Sequence, residues 1–187
     1  MTIKPVWIGL ALVAVAVFSV GGYYNSFIAK QTAITAQMAQ VDNQEQRRYD
    51  VITELISVVK KNAKFEQETF IGIANARTQW AGSRSNGDKI AAAQQMDSAL
   101  GRLMVAVEQY PQLRANEQFA RLMDEMAGTE NRLAVERMRY NQAVQEYDVA
   151  VKSFPGNLVA GAFGFKPSGE YFKVSAEAKQ HKTLNMD

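Results

Sequence analysis

From Tyr24 onward the apolar residues recur at alternating steps of three and four, the period of helices that pack along one stripe. The pattern is clearest late in the chain. Phe119, Met126, Leu133, Tyr140, Tyr147 and Phe154 stand seven residues apart, with Leu122, Ala143, Val144, Ala150 and Val151 filling the rows between. This predicts a long helix over about 116–153. A shorter one before it carries Ala93, Met96, Leu100, Leu103, Val107 and Tyr110 and should end at Pro111, whose ring lacks an N–H and disfavours helix at the preceding residue. Phe70, Ile73, Arg77 and Trp80 mark a further short helix, closed by Gly82-Ser83-Arg84-Ser85-Asn86-Gly87. Phe27, Ile34, Met38, Val41, Ile52, Leu55 and Val59 mark a long one over about 24–61. Lys61-Asn62-Ala63-Lys64 is the expected turn between these two, with a continuous rod to Ala81 as the alternative. Long and short helices in this order close as an antiparallel bundle, which would bring Phe154 beside Phe27.

The first 23 residues follow a different rule. Val6 to Gly22 holds no charge and nothing more polar than Ser19, close to the roughly 20 residues that cross a bilayer. Trp7 at one end and Tyr23 and Tyr24 at the other sit where aromatic belts meet the membrane interface. A cleaved signal peptide is the rival reading, since Ala14-Val15-Ala16 fits a small-x-small site; the apolar run, however, continues through Val20. Lys4 on one side and Lys30 on the other leave the orientation undetermined by local charge.

The expected fold is therefore all-α: an N-terminal single transmembrane helix followed by an elongated antiparallel four-helix bundle. The chain divides into an anchor (1–23), a bundle (24–154), an apolar Gly-rich segment (155–172) and a polar tail (173–187). Within FPGNLVAGAFGFKP, residues 154–167, the glycines argue against helix. Its apolar residues Leu158, Phe163 and Phe165 either cap the bundle end or form a membrane-proximal docking patch.

Composition removes most chemistry. The chain of 187 residues has no cysteine, which excludes thiolate nucleophiles, disulfides and Cys-ligated metal. Its one histidine, His181, lies in the polar tail, so no inward Glu-x-x-His pair can build a carboxylate-bridged metal centre. No nucleophile elbow, phosphate loop or dinucleotide fingerprint occurs. Lys+Arg of 21 against Asp+Glu of 19 is too balanced for nucleic acid. No catalytic, metal or cofactor-binding residue is therefore assigned, and no cofactor is expected.

Thr129 and Glu136 fall on the second apolar row of the last helix, and five further polar residues stand on or beside the apolar stripes: Glu45 and Arg48 on the first bundle helix, Arg77 on the second, and Glu130 and Arg137 on the last. They form a candidate interior polar layer. Such a layer can set the register of packed helices, or it can line a ligand pocket.

These motifs resemble the LemA family of bacterial membrane-anchored helical proteins. The match is densest from Met96 to Phe172, in ALGRLMVAVEQYPQLRANEQF, GTENRLAVERMRYNQAV and FPGNLVAGAFGFKP. Tyr24-Asn25, Val41-Asp42, Arg47-Arg48-Tyr49-Asp50, Val59-Lys60 and Ala76-Arg77 follow it more loosely. Met38, Thr53-Glu54 and Phe65 depart from the family's usual Trp, Pro-Asn and His. The resemblance implies an anchored helical bundle in the bacterial inner membrane, with the bundle in the cytoplasm. The expected role is a non-enzymatic scaffold or adaptor that binds the lipid bilayer and other membrane proteins, and that self-associates as a homo-oligomer. A ligand-sensing bundle is the alternative, and so is a regulator acting with a membrane protease in envelope stress.

Overall fold

The computed structural model describes residues 5–62 and 67–173. Among these the chain is all-helical, with six α-helices and no strand. α1 spans Pro5–Asn62, α2 Gln67–Gly82, α3 Asn86–Glu108, α4 Pro111–Arg114, α5 Glu117–Lys152 and α6 Gly156–Phe163. The apolar N-terminal run and the first bundle helix are one uninterrupted α1; Gly21 and Gly22 do not break it, since nothing in 5–62 is a proline after Pro5. Of the four residues expected to form the turn after α1, Ala63 and Lys64 lie outside the described residues. The rod alternative is overturned all the same. The Lys60 ammonium stands 4.8 Å from the centre of the Phe70 ring, whereas ten residues of continuous helix would separate their backbones by about 15 Å.

Two compact units emerge, Met1–Gln37 with Tyr140–Gly169, and Met38–Arg139 with Glu170–Asp187. α1 and α5 each contribute to both units.

In the second unit four helices pack up-down-up-down. Tyr49 meets Arg77 and Lys60 meets Phe70, so α1 and α2 run antiparallel. Asp42 meets Lys89 and Arg48 meets Asp97, so α1 and α3 run parallel. Arg47 meets Glu125 while Glu45 meets Arg137, so α5 opposes α1. The core is the predicted stripes brought together: Val41, Ile52, Leu55 and Val59 from α1, Ile73 and Trp80 from α2, Met96 and Leu103 from α3, Leu122, Met126 and Leu133 from α5. α3 starts at Ser85, whose hydroxyl accepts from the Asp88 N–H at 3.1 Å and satisfies one of the helix's free donors. α3 stops at Glu108, and Pro111 opens the one-turn α4, where a missing N–H costs nothing. That turn buries Leu113 completely.

In the first unit α5 lies antiparallel to α1, with Lys30 facing Glu146 at 3.6 Å and Gln31 donating to the Tyr147 hydroxyl at 3.0 Å. Two expectations need correction here. Phe154 is 80 % exposed rather than beside Phe27, because α5 ends at Lys152 and the heptad register ends with it. Phe165 takes the place instead, its ring 5.1 Å from that of Phe27. The glycine-rich segment, expected to avoid helix, forms α6. Two of its glycines serve the ends: Gly156 starts α6 so close to the end of α5 that a Cβ would stand 2.5 Å from the Ala150 carbonyl oxygen. Gly164 closes it at φ 78°, in the left-handed region that favours glycine. The Asp148 carboxylate then holds the chain after α6, accepting from the N–H groups of Ser168 at 2.7 Å and Gly169 at 3.3 Å.

Among the described residues no helix is long and apolar enough to cross a membrane. Ile8, Ala11 and Leu12 are side chains outside that set, so the anchor expected over 1–23 falls partly on residues outside the described ones.

Candidate functional site

Four of the five polar residues picked from the stripes converge in the second unit. Glu45 is fully buried and Arg48 is 2 % exposed. The Arg48 guanidinium reaches three carboxylates: Asp97 at 2.7 Å, Glu45 at 3.4 Å, and Glu130 through Nε. Arg137 closes the layer, meeting Glu45 at 2.7 Å and Asp97 at 3.0 Å. Glu130 and Arg137, neighbours on α5, do not pair with each other in these contacts; each reaches across to α1, and Arg137 also to α3. The Phe172 ring lies 5.2 Å from the Arg137 guanidinium, within cation–π range.

Two positions differ from the sequence expectation. Arg77 stays out of the layer. Ala76 takes the fully buried position of α2, which turns Arg77 about 100° away, its exposed side chain carrying the guanidinium 5.8 Å from the Tyr49 ring. Asp97, missed from the sequence, is a central member. Its signal was spacing: it stands four residues after Ala93 and three before Leu100, on a row beside the main stripe. A second pair also escaped notice, Asp42 with Lys89, whose ammonium meets both carboxylate oxygens at 2.6 and 2.7 Å.

The electrostatics follow from burial and partners. Burial alone would lower the Arg48 and Arg137 pKa values, but the surrounding carboxylates outweigh it and both are raised, so both stay charged. Burial would raise Asp97, yet Arg48 and Arg137 hold it below the usual carboxylate range. Glu130 is pushed up, chiefly by burial, with the Asp97 charge adding to it against the two arginines. The buried Tyr49 phenol is pushed up by desolvation and by the Glu45 charge.

A groove of about 450 Å³ opens beside this layer. Leu100, Met104, Met123 and Met126 form its apolar wall, and Arg48, Asp97, Glu130 and Arg137 its polar floor. Each floor residue has a charged partner within the layer. The arrangement provides fixed, mutually compensated charge and no nucleophile beside a base.

The membrane-side residues lie in the first unit. Trp7 is exposed. Tyr23 is half-buried against Phe27, and Tyr24 packs edge-on against Phe163 at 5.2 Å and Phe165 at 5.5 Å. Of the three residues expected to cap or dock, only Phe165 turns inward; Leu158 is 64 % and Phe163 54 % exposed.

The LemA family pattern matches residues 37–186, four-fifths of the chain and every helix of the second unit. The chain belongs to the LemA family. Among its relatives, the magnetosome proteins MamQ 1 and MamQ 2 of Paramagnetospirillum magneticum are each 26 % identical to it, over 87 % of this chain and 72 % of theirs. MamQ of Magnetospirillum gryphiswaldense is 25 % identical over 80 % of this chain and 64 % of its own. Protein LemA of Metamycoplasma hominis is 23 % identical over 77 % and 69 %. All of these relatives are bacterial.

Proposed function

We propose that this LemA-family chain is a non-enzymatic scaffold, a helical bundle tethered to the bacterial inner membrane by the start of α1, with its bundle on the cytoplasmic side. One observation carries the tether: Val6, Trp7, Leu10, Val13, Val15, Val17 and Phe18 are all large, apolar and exposed along one helix. Their positions cover about 200° of the helix surface, and no residue from Val6 to Gly22 is charged or more polar than Ser19, so no charged face opposes them, the pattern of a segment whose surroundings are lipid. The scaffold reading draws on the polar layer, whose charges are matched inside the fold and so lend themselves to holding helices in register. Relatives named as magnetosome proteins fit a part in a larger assembly. The partners are other membrane proteins, a membrane protease among the options, and further copies of this chain. Crosslinking in intact membranes followed by mass spectrometry tests the role: reproducible partner or self crosslinks are expected, and recovery of monomer alone counts against it. Extraction at alkaline pH tests the tether, since a spanning chain stays with the lipid.

The groove beside the layer favours a second reading, a ligand-sensing bundle. Its methionine wall is adaptable and apolar. Met104→Ala and Met123→Ala discriminate the two: a scaffold keeps its crosslinks, whereas a sensor changes them.

A further inference from the structure

The face that α6 leaves uncovered belongs, we infer, to the lipid surface: α6 lies in the membrane interface as a second contact beside the anchor. The inference rests on the tethered reading of α1. Between Ser153 and Phe165 the chain has no charged residue. α6 turns Gly156, Val159 and Ala160 inward and leaves Leu158 and Phe163 outward. Phe154, just before it, is the most exposed of the three. Three large apolar side chains uncovered within ten residues are more than scattered surface hydrophobics. Lys152 and Lys166 flank the stretch and are both exposed, as expected where an apolar face enters lipid and ammonium groups stay at the headgroups.

Continuity with the anchor selects lipid over protein. Phe163 packs on Tyr24, two residues beyond the apolar run that ends at Gly22. The exposed apolar surface of α1 therefore passes into that of α6 through an aromatic contact, within one compact unit. Aromatic side chains in this position are those that settle at the boundary between hydrocarbon and water. The left-handed Gly164 ends α6 and turns Phe165 back onto Phe27 and Tyr24, so α6 is held against α1 at both rings while Phe163 keeps half its surface uncovered.

Depth-dependent quenching in the full-length chain tests this. The protein is reconstituted into phosphatidylcholine and phosphatidylglycerol vesicles whose acyl chains are brominated at shallow or deep carbons. Native Trp7 reports the anchor and buried Trp80 supplies a constant background. Leu158→Trp adds a reporter at an exposed position, where a larger side chain costs little packing. A matching melt by circular dichroism confirms that the variant folds. The shallow-brominated lipid should roughly halve the emission added by the new indole, and the deep-brominated lipid should quench it less, as for a side chain about 5–10 Å into the headgroup boundary. If Trp7 is quenched and the reporter at position 158 is not, the α6 inference fails while the tether stands. A blue-shifted but unquenched reporter also overturns it, because protein, such as a second copy, then covers the face. If Trp7 escapes quenching and the chain leaves the vesicles in alkaline wash, the tether fails and the α6 inference falls with it. Leu158→Asp with Phe163→Asp gives an independent readout: protease protection of residues 154–165 by vesicles should be lost while the chain still floats with them, and retained protection would refute the inference.

Discussion

Replacing Arg48 with Met would leave Glu45 and Asp97 with only Arg137 between them, and Glu130 without the partner it reaches on α1. Removing one member of a buried ionic group typically costs about 3–5 kcal/mol, because the remaining charges lose their compensation. Arg48→Met should therefore lower the denaturation midpoint sharply. Arg47→Ala, one residue away in an exposed pair with Glu125, should change stability by no more than about 1 kcal/mol. The layer also predicts a response to acid. The folded-state pKa of Asp97 lies below its ordinary value, so its contribution is present above about pH 4 and fades as pH falls. Glu130 works the other way. Its pKa is raised on folding, so its contribution is complete in acid and is lost as pH rises through the folded value. Melting followed between about pH 7 and pH 3 should thus fall less steeply in Asp97→Asn than in the parent, and more steeply in Glu130→Gln. The members of this layer were legible as polar interruptions of an apolar stripe, which is how Glu45, Arg48, Glu130 and Arg137 came to notice. Their partners were not. Glu130 and Arg137 stand together in sequence, but the third dimension pairs each with another helix.

At the scale of elements, α5 and α3 were readable because their apolar spacing is unbroken, and Pro111 marks where α3 has to stop. Ser85→Ala removes the cap of α3 and should cost about 1 kcal/mol, read as a drop in the denaturation midpoint. α6 was misread because glycine counts against helix on average, whereas here two glycines are placed at its ends. Gly156→Ala would press a methyl group against the Ala150 carbonyl oxygen and the Phe27 ring. Overpacking of this kind usually costs about 1–3 kcal/mol, and the loss should show as a lower melting temperature. Gly161→Ala, which meets open space, should leave the melt unchanged or raise it slightly. The exposure of Phe154 has the same origin as the misread helix. A heptad persists only while its helix does, and α5 ends at Lys152, two residues before Phe154.

At the scale of the whole chain, a formal charge of +2 leaves little electrostatic attraction to any membrane. If the exposed apolar start of α1 carries the tether, vesicle flotation should persist in about 0.5 M salt, where surface charges are screened within a few ångströms. Release by salt would point to headgroup electrostatics instead. Family membership and the all-helical class were both legible in the sequence, the first from long blocks of matched residues and the second from period alone. The division into two units was not, since it depends on which stretches of the shared helices α1 and α5 gather neighbours. The Glu45–Arg137 contact joins residues 92 positions apart. During synthesis at about 5–20 residues per second, Glu45 and Arg48 therefore wait roughly 5–20 s for the arginine and carboxylates that complete their layer. Until then the desolvated core around them is unfavourable, and the nascent chain is held open. The polar layer thus makes synthesis through Arg137 the condition for closing this stretch of α1, and a chain cut short before Arg137 is expected to be cleaved by protease faster than one cut after it.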